Sequence, residues 1–191
     1  MTDSKLLIID TETGGLSVKE HSLLSIGAAV WINQTIVDQI EIFVREPEPS
    51  IDPEAIAATG FDLSLIETQG QSPKEAVRQF EVFLARHFGI AGERKRIPVA
   101  GHNVQFDIDF IGRLYGIAEA QFKGLFSHRV LDTAGILAFL ILAERLPSSC
   151  SSSTGAFEYF GITFEPGKRH TALADALATA TLLRRLLELV D

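Results

Sequence analysis

Apolar residues along this chain recur with two periods, a short one near the start and a longer one after about residue 50. Lys5-Leu-Leu-Ile-Ile-Asp10 is a short apolar run closed by polar residues and Gly14-Gly15, which reads as a buried strand. His21 to Ile32 and Thr35 to Val44 are β-rich, and Asn33-Gln34 between them suits a hairpin turn. Three strands in succession predict an antiparallel meander. The pattern then turns helical. Asp52-Pro53 reads as an N-cap followed by a first-turn proline, with Gly60 closing a short helix. Ser72-Pro73-Lys74-Glu75 is a capping-box signature. Behind it Ala76, Val77, Phe80, Phe83, Leu84, His87 and Phe88 form an apolar stripe that stops at Gly89.

Ile97 to Ala100 is a second buried strand leading into Gly101-His102-Asn103, and a helix is expected from Val104 with Asn103 as its cap. His128 to Leu131 reads as a last strand, and Asp132 as the cap of a helix running to about Ala143. The Ser148–Ser153 tract around Cys150 reads as a flexible connection, followed by a short helix over Gly155 to Phe160 and a long one from Ala172 to Val190. There is no internal repeat. Strands first, then helices alternating with strands, predict an α/β fold with a mixed sheet, in a single domain over residues 1–191.

Composition narrows the function classes. The chain has 191 residues, 46% of them hydrophobic and 22% charged, which is enough for one sizeable core. A formal charge of −8 argues against a protein that coats long duplexes by neutralising phosphates. Nucleic acid, if it is the partner, would be met over a small local site or through bound cations that reverse the local sign. The single cysteine excludes an intrachain disulfide. Met1 to Ile9 is too short for a signal-peptide core, and Ala134 to Ala143 is roughly half the length of a membrane span. A cytoplasmic location without membrane partners is expected.

Three clusters carry candidate chemistry. If extended geometry persists beyond Ile9, Leu6, Ile8, Asp10 and Glu12 share one face of the first strand. Two carboxylates so placed either hold a divalent cation or are solvated turn residues ahead of Gly14-Gly15. In the second cluster, Asp107 shares a helix face with Phe110, Ile111 and Leu114; a carboxylate on an apolar stripe needs a partner or a metal. Asp109 lies four residues before Arg113 and fits a surface ion pair. Phe106 reads as a core residue or a wedge against a base, and His102 as a residue that holds loop backbone. In the third cluster, the five-residue offset between His170 and Asp175 places His170 on a loop and Asp175 in the first turns of the last helix. Asp175 is the only acid between Thr171 and Leu187. A histidine beside a metal site suits a general base near neutral pH. Lys168 and Arg169 either meet a phosphate or face solvent.

Taken together and in order, Asp10-Thr-Glu12-Thr-Gly14-Gly15-Leu16, His102-Asn103 with Phe106-Asp107, and His170-x-Ala172-x-x-Asp175 resemble the three motifs of the DEDDh exonuclease superfamily. The resemblance runs from Leu6 to about Leu187. It implies a ribonuclease H-like fold, a central five-stranded mixed sheet with helices on both sides. It implies that Asp10, Glu12, Asp107 and Asp175 hold two Mg²⁺ or Mn²⁺ ions and that His170 is the general base. Thr11, Gly14, Leu16 and Phe106 would contact substrate, the last two as apolar side chains against the terminal bases. The implied activity is 3′–5′ removal of nucleotides from single-stranded DNA or RNA ends, DNA favoured, with release of nucleoside 5′-monophosphates. A DNA polymerase subunit or a second copy of the chain is the implied protein partner, and a polymerase-docked or RNA-trimming role is the alternative. Two departures bear on substrate preference: Ser25 and Thr59 stand where many relatives carry an acid and a histidine or asparagine. A P-loop reading of Gly161 to Lys168 fails, because five residues separate the glycines and Arg169 occupies the Ser/Thr position. The basic run Arg94-Lys95-Arg96 reads as a solvated face.

Overall fold

In the computed structural model, which describes residues 5–91, 95–164 and 171–189, strand β1 (Lys5–Thr13) runs well past its apolar stretch. The reason is its partner. Strand β2 (Leu23–Ile32) pairs with it antiparallel from Lys5 opposite Ile32 to Glu12 opposite Ser25, so the polar end stays extended. Strand β3 (Thr35–Phe43) returns along β2 through Asn33 and Gln34, whose φ values of 48° and 66° are those of a type I′ hairpin turn. Strands β4 (Val99–Gly101) and β5 (Leu131–Asp132) add in parallel on the other side of β1. The described residues thus form a five-stranded mixed sheet ordered β3-β2-β1-β4-β5, as the resemblance implied.

Helix α1 (Pro53–Thr59) begins and ends as its residues predict: the Asp52 side chain accepts from the Glu54 amide, and Gly60 takes the left-handed conformation at φ 70°. Helix α2 (Ser64–Gln69), which no stripe in the sequence announces, follows the Asp62 side chain accepting from the Ser64 amide. Helix α3 (Pro73–Phe88) has half of its capping box. Ser72 Oγ accepts from the Glu75 amide at 3.4 Å, while the Glu75 carboxylate turns to Arg78 instead of reaching back. Helices α4 (Val104–Ile117), α5 (Thr133–Leu142), α6 (Ser153–Tyr159) and α7 (Ala172–Leu187) complete the chain.

The alternation of β1 assigns a face to each layer. Leu7 and Ile9 pack with Phe80, Phe83 and Leu84 of α3 and Phe110, Ile111 and Leu114 of α4. Ile8 turns to the opposite side and packs against Ala176, Ala180 and Leu183 of α7. One position makes that second layer unusually close. Gly27 of β2 lies opposite Asp10, and a Cβ there would sit 2.1 Å from the carbonyl carbon of Ala172. The backbone of the first turn of α7 therefore rests directly on the sheet.

Several expectations are corrected. Asn103 does not cap α4 with its side chain. It adopts a left-handed φ of 56°, which Asn tolerates, and its amide donates to Asp132 Oδ1. The last strand is only Leu131–Asp132, because the chain before it is engaged differently: Ile97 exchanges backbone bonds with Leu125 and Ser127. The serine tract is ordered rather than flexible. Ser148–Ser151 form a 3-10 turn around the fully buried Cys150, and Ser152 caps α6. Arg113 does not pair with Asp109, which instead accepts from Gln105 Nε2. Arg113 forms a two-pronged ion pair with Glu46, whose carboxylate is buried. Lys95 and Arg96 are exposed as expected, while Arg94 and Val190 lie outside the described residues. No helix among the described residues is long and apolar enough to cross a membrane.

Gly27→Ala should lift α7 from the sheet and cost about 1–3 kcal/mol, the usual penalty of overpacking. Because Asp175 rides on that helix, the nuclease turnover implied by the resemblance should fall even where the protein remains folded. Chemical denaturation and an activity assay on the same preparation check both halves.

Candidate active site

The alternation of β1 also decides which acids meet. Asp10 and Glu12 follow Ile8 on the face toward α7, and the first turn of α7 carries Asp175. Asp10, Glu12 and Asp175 each offer a carboxylate oxygen, and these atoms all lie within 4.8 Å of one another. Thr11 points the other way, toward α4. Its Oγ1 donates to Asp107 Oδ1 at 2.7 Å. Asp107 is 4% exposed, on the helix stripe expected for it, and stands beside the three-oxygen set without belonging to it. The choice left open for Asp10 and Glu12 falls against solvated turn residues: Glu12 is buried and in a strand.

The remaining sequence candidates divide. Leu16 is 84% exposed on the loop after β1, with no core role. Phe106 is half-buried, its ring 4.8 Å from that of Phe110. Thr11 and Gly14 are committed to the protein: the Thr11 hydroxyl serves Asp107, and the Gly14 amide and carbonyl bond Ser22 and Asp52. A Gly14 Cβ would meet Ser50 O at 2.6 Å, which is a packing reason for glycine. His170, Lys168 and Arg169 lie outside the described residues.

His102 reaches the loop backbone through a hydroxyl: its Nδ1 lies 3.0 Å from Thr133 Oγ1. That hydroxyl already donates to Gly101 O, so it accepts from the imidazole, and Nδ1 carries the proton. His102 also lines a cleft of about 200 Å³ with Asp10, Asp175 and the Ser153–Thr154 start of α6. Nothing in the sequence placed α6 beside the acids. Ser25, directly opposite Glu12, is fully buried, and its hydroxyl has no hydrogen-bond partner among the described residues.

Residues 7–183 match the family model described as exonuclease, of the RNase T type. The chain belongs to this exonuclease family. It is similar to Ribonuclease T of Yersinia pestis, 26% identical over 190 residues, covering 94% of this chain and 83% of the relative. It is also similar to the PolC-type DNA polymerase III of Halalkalibacterium halodurans, 25% identical over 98% of this chain but only 12% of the polymerase. Among solved structures, Escherichia coli exonuclease I in complex with a dT13 oligonucleotide superposes with a TM-score of 0.74 at 15% identity. This chain covers less than half, 43%, of that exonuclease. The nuclease domain of 3′hExo, a DEDDh family member bound to rAMP, gives 0.69 at 14% identity, with 93% of it covered. The ribonuclease H-like architecture follows from these likenesses.

The electrostatics of this exonuclease site are those of charge waiting for a counter-ion. Burial, then Asp175, then Glu41 and Asp107 push the Glu12 carboxyl up to about 8. Burial pushes Asp107 up to about 7, against the Thr11 hydrogen bond that favours its ionised form. Asp10 is raised by burial and by Asp107, Asp175 and Glu12 in turn. An all-carboxylate set of hard oxygens fits a divalent cation such as Mg²⁺ or Mn²⁺ rather than a thiophilic one.

Raised carboxylates fix the sign of a pH effect. Between roughly pH 4.5 and 8 the metal-free folded protein holds protons that the unfolded chain has released, so its stability falls as pH rises through that range. A divalent cation competes for the ionised form and should bind better as pH rises. The thermal midpoint without metal should therefore drop between about pH 6 and about pH 8.5, and added Mg²⁺ should restore more at the higher pH. An equal Mg²⁺ effect at both would mean that these carboxylates do not bind the ion.

Proposed function

We propose that this protein is a metal-dependent 3′–5′ exonuclease that hydrolyses the terminal phosphodiester bond of single-stranded nucleic acid and releases nucleoside 5′-monophosphates. The observation that carries the reading is the convergence of the Asp10, Glu12 and Asp175 oxygens within 4.8 Å, on a chain whose family is exonucleolytic. Asp10, Glu12, Asp175 and the adjacent Asp107 would hold the divalent ions. Two such ions flanking a phosphate stabilise the charge that develops on the attacking and leaving oxygens of an in-line displacement. Thr11 keeps Asp107 aimed and favours its ionised state. His170, on the resemblance of its motif, would take the proton from the attacking water.

The 3′–5′ direction rests on the family resemblance, and the preference for an unpaired end on two apolar side chains. Leu16 stands on the loop that follows the strand carrying Asp10 and Glu12, and Phe106 immediately precedes Asp107 on α4; a leucine that is 84% exposed has no folding reason to be there. Both would stack on the terminal bases, which substitutes for base stacking and favours an unpaired end. Exonuclease I carries a dT13 strand on the same fold, which supports single-stranded DNA as the favoured substrate. A polymerase-associated role is a second reading, favoured by the likeness to a stretch of a PolC-type polymerase.

Asp10→Asn and Asp175→Asn should lower turnover by orders of magnitude with the fold kept, while Asp109→Ala should be near neutral. His170→Ala should lower turnover roughly 10²–10⁴-fold, the range of general base catalysis, and keep metal binding. Closed circular single strands should survive, and 5′-labelled linear strands should shorten one nucleotide at a time; DNA and RNA versions run side by side give the preference. Cleavage of closed circles, or early release of long fragments, would overturn the exonuclease direction.

A further inference from the structure

Glu46 is a buried acid outside the metal site, and its hydrogen bonds run to both elements that carry the apolar wedges. Its carboxylate takes both guanidinium prongs of Arg113, with Nη2 at 2.9 Å from Oε2. The same two oxygens accept from Ser22 Oγ at 2.9 Å and the Leu23 amide at 3.0 Å. The acid is 5% exposed, so its four hydrogen bonds form with little competition from water.

On one side the network leads to Leu16. Ser22 Oγ accepts from the Ser50 amide, the Ser22 amide donates to Ser50 O, and Ser22 O receives the Gly14 amide at 2.8 Å. Gly14 O in turn receives the Asp52 amide. The loop that follows is held by His21, whose Nδ1 accepts from the Ser17 amide at 3.0 Å, and whose ring leaves no space for a Cβ on Gly15. Leu16, between Gly15 and Ser17, is flanked by held residues while its side chain stands in solvent. On the other side the network leads to Phe106. Phe106, Phe110 and Arg113 lie at offsets of four and three, one face of α4, and the two rings are in contact. Arg113 thus anchors the helix two turns beyond the ring that would meet the base.

We infer that the Glu46–Arg113 ion pair is a positioning device that sets the gap between Leu16 and Phe106, and with it recognition of the 3′-terminal bases. The inference rests on the proposed stacking role of those two side chains. Of the proposed metal ligands Asp107 shares α4 with Arg113 but is held separately by Thr11, and Asp10, Glu12 and Asp175 lie on the other side of β1, so the pair acts on substrate affinity more than on the chemical step.

The test is a double-mutant cycle on the full chain with Mg²⁺, reading KM, kcat and thermal midpoint on 5′-labelled single-stranded DNA. Arg113→Lys keeps the charge and loses the fork; Glu46→Gln keeps an acceptor for Ser22 and loses the charge. Either should raise KM roughly threefold to tenfold, the range of coupled contacts, with kcat within about twofold. On a Leu16→Ala background, the same change should add less than about twofold, because the wedge it positions is gone. Should Arg113→Lys fail to fold, Glu46→Gln carries the same cycle. KM effects that simply multiply overturn the inference and leave the exonuclease reading intact, marking the pair as a stability element only. If Leu16→Ala and Phe106→Ala themselves leave KM unchanged, the stacking role fails first and takes this inference with it.

Discussion

Everything at this site depends on how closely the first turn of α7 can approach the sheet. Three carboxylates that repel one another are brought within 4.8 Å only because Gly27, opposite Asp10, leaves room for the backbone at Ala172. The approach is held by packing below it. Ile8 and Ala176 and Ala180 interlock on the same face, small residues on the helix matching a branched one on the strand. Helix-terminal bonds hold it from above, with the Thr171 side chain accepting from the Ala174 amide and Glu41 from the Leu173 amide. The hydrophobic layer thus offsets an electrostatic cost that falls when protons or a cation arrive. The raised Glu12 and Asp107 carboxyls express the cost that remains until then.

The strand's two-residue period gives the site its two sides. Asp10 and Glu12 face α7, while Thr11, between them, faces α4 and holds Asp107. One short segment therefore organises helices on opposite faces of the sheet, and neither helix needs to touch the other. It also explains why Asp107 sits beside the tight oxygen set and not within it: it reaches the site around the end of β1, from the far layer. That asymmetry separates tasks. The α7 side concentrates charge, and the α4 side carries Phe106 and the anchor at Arg113.

Features that depend on neighbours in sequence were legible, and those set by distant partners were not. The hairpin at Asn33-Gln34, the Asp52 cap and the Gly60 stop are local physics, and the structure has all three. The stripe bearing Asp107 was legible because helical spacing places it. The partner of Arg113 was not, since Asp109 is four residues away and Glu46 is 67; burial of the remote acid outcompeted the nearby exposed one. Asn103 looked like a cap by residue type, but the amide of that residue is drawn to Asp132, 29 positions on. The serine tract failed for the opposite reason. Its composition suggests mobility, yet Cys150 is buried in the cluster formed by Leu137, Leu140 and Phe157, which orders the turn around it.

An acidic chain that acts on a polyanion is consistent once the charge is placed. At −8 the protein repels nucleic acid at long range, and screening at physiological salt confines that repulsion to roughly a Debye length, about 8 Å. Attraction must then arise at the site itself. Without cations the oxygens of Asp10, Glu12 and Asp175 would oppose a phosphate directly; with divalent ions bound, the local sign reverses. Metal and substrate binding would therefore be linked, because a cation held by Asp10, Glu12 and Asp175 would neutralise the charge that otherwise excludes the phosphate. On the proposed reading, a site built this way holds little affinity for nucleic acid at large and gains it where a strand end seats against the apolar side chains. Selection of an end over the body of a strand would follow from the same reading, because attraction then arises where the bound cations meet a phosphate and not along the acidic surface.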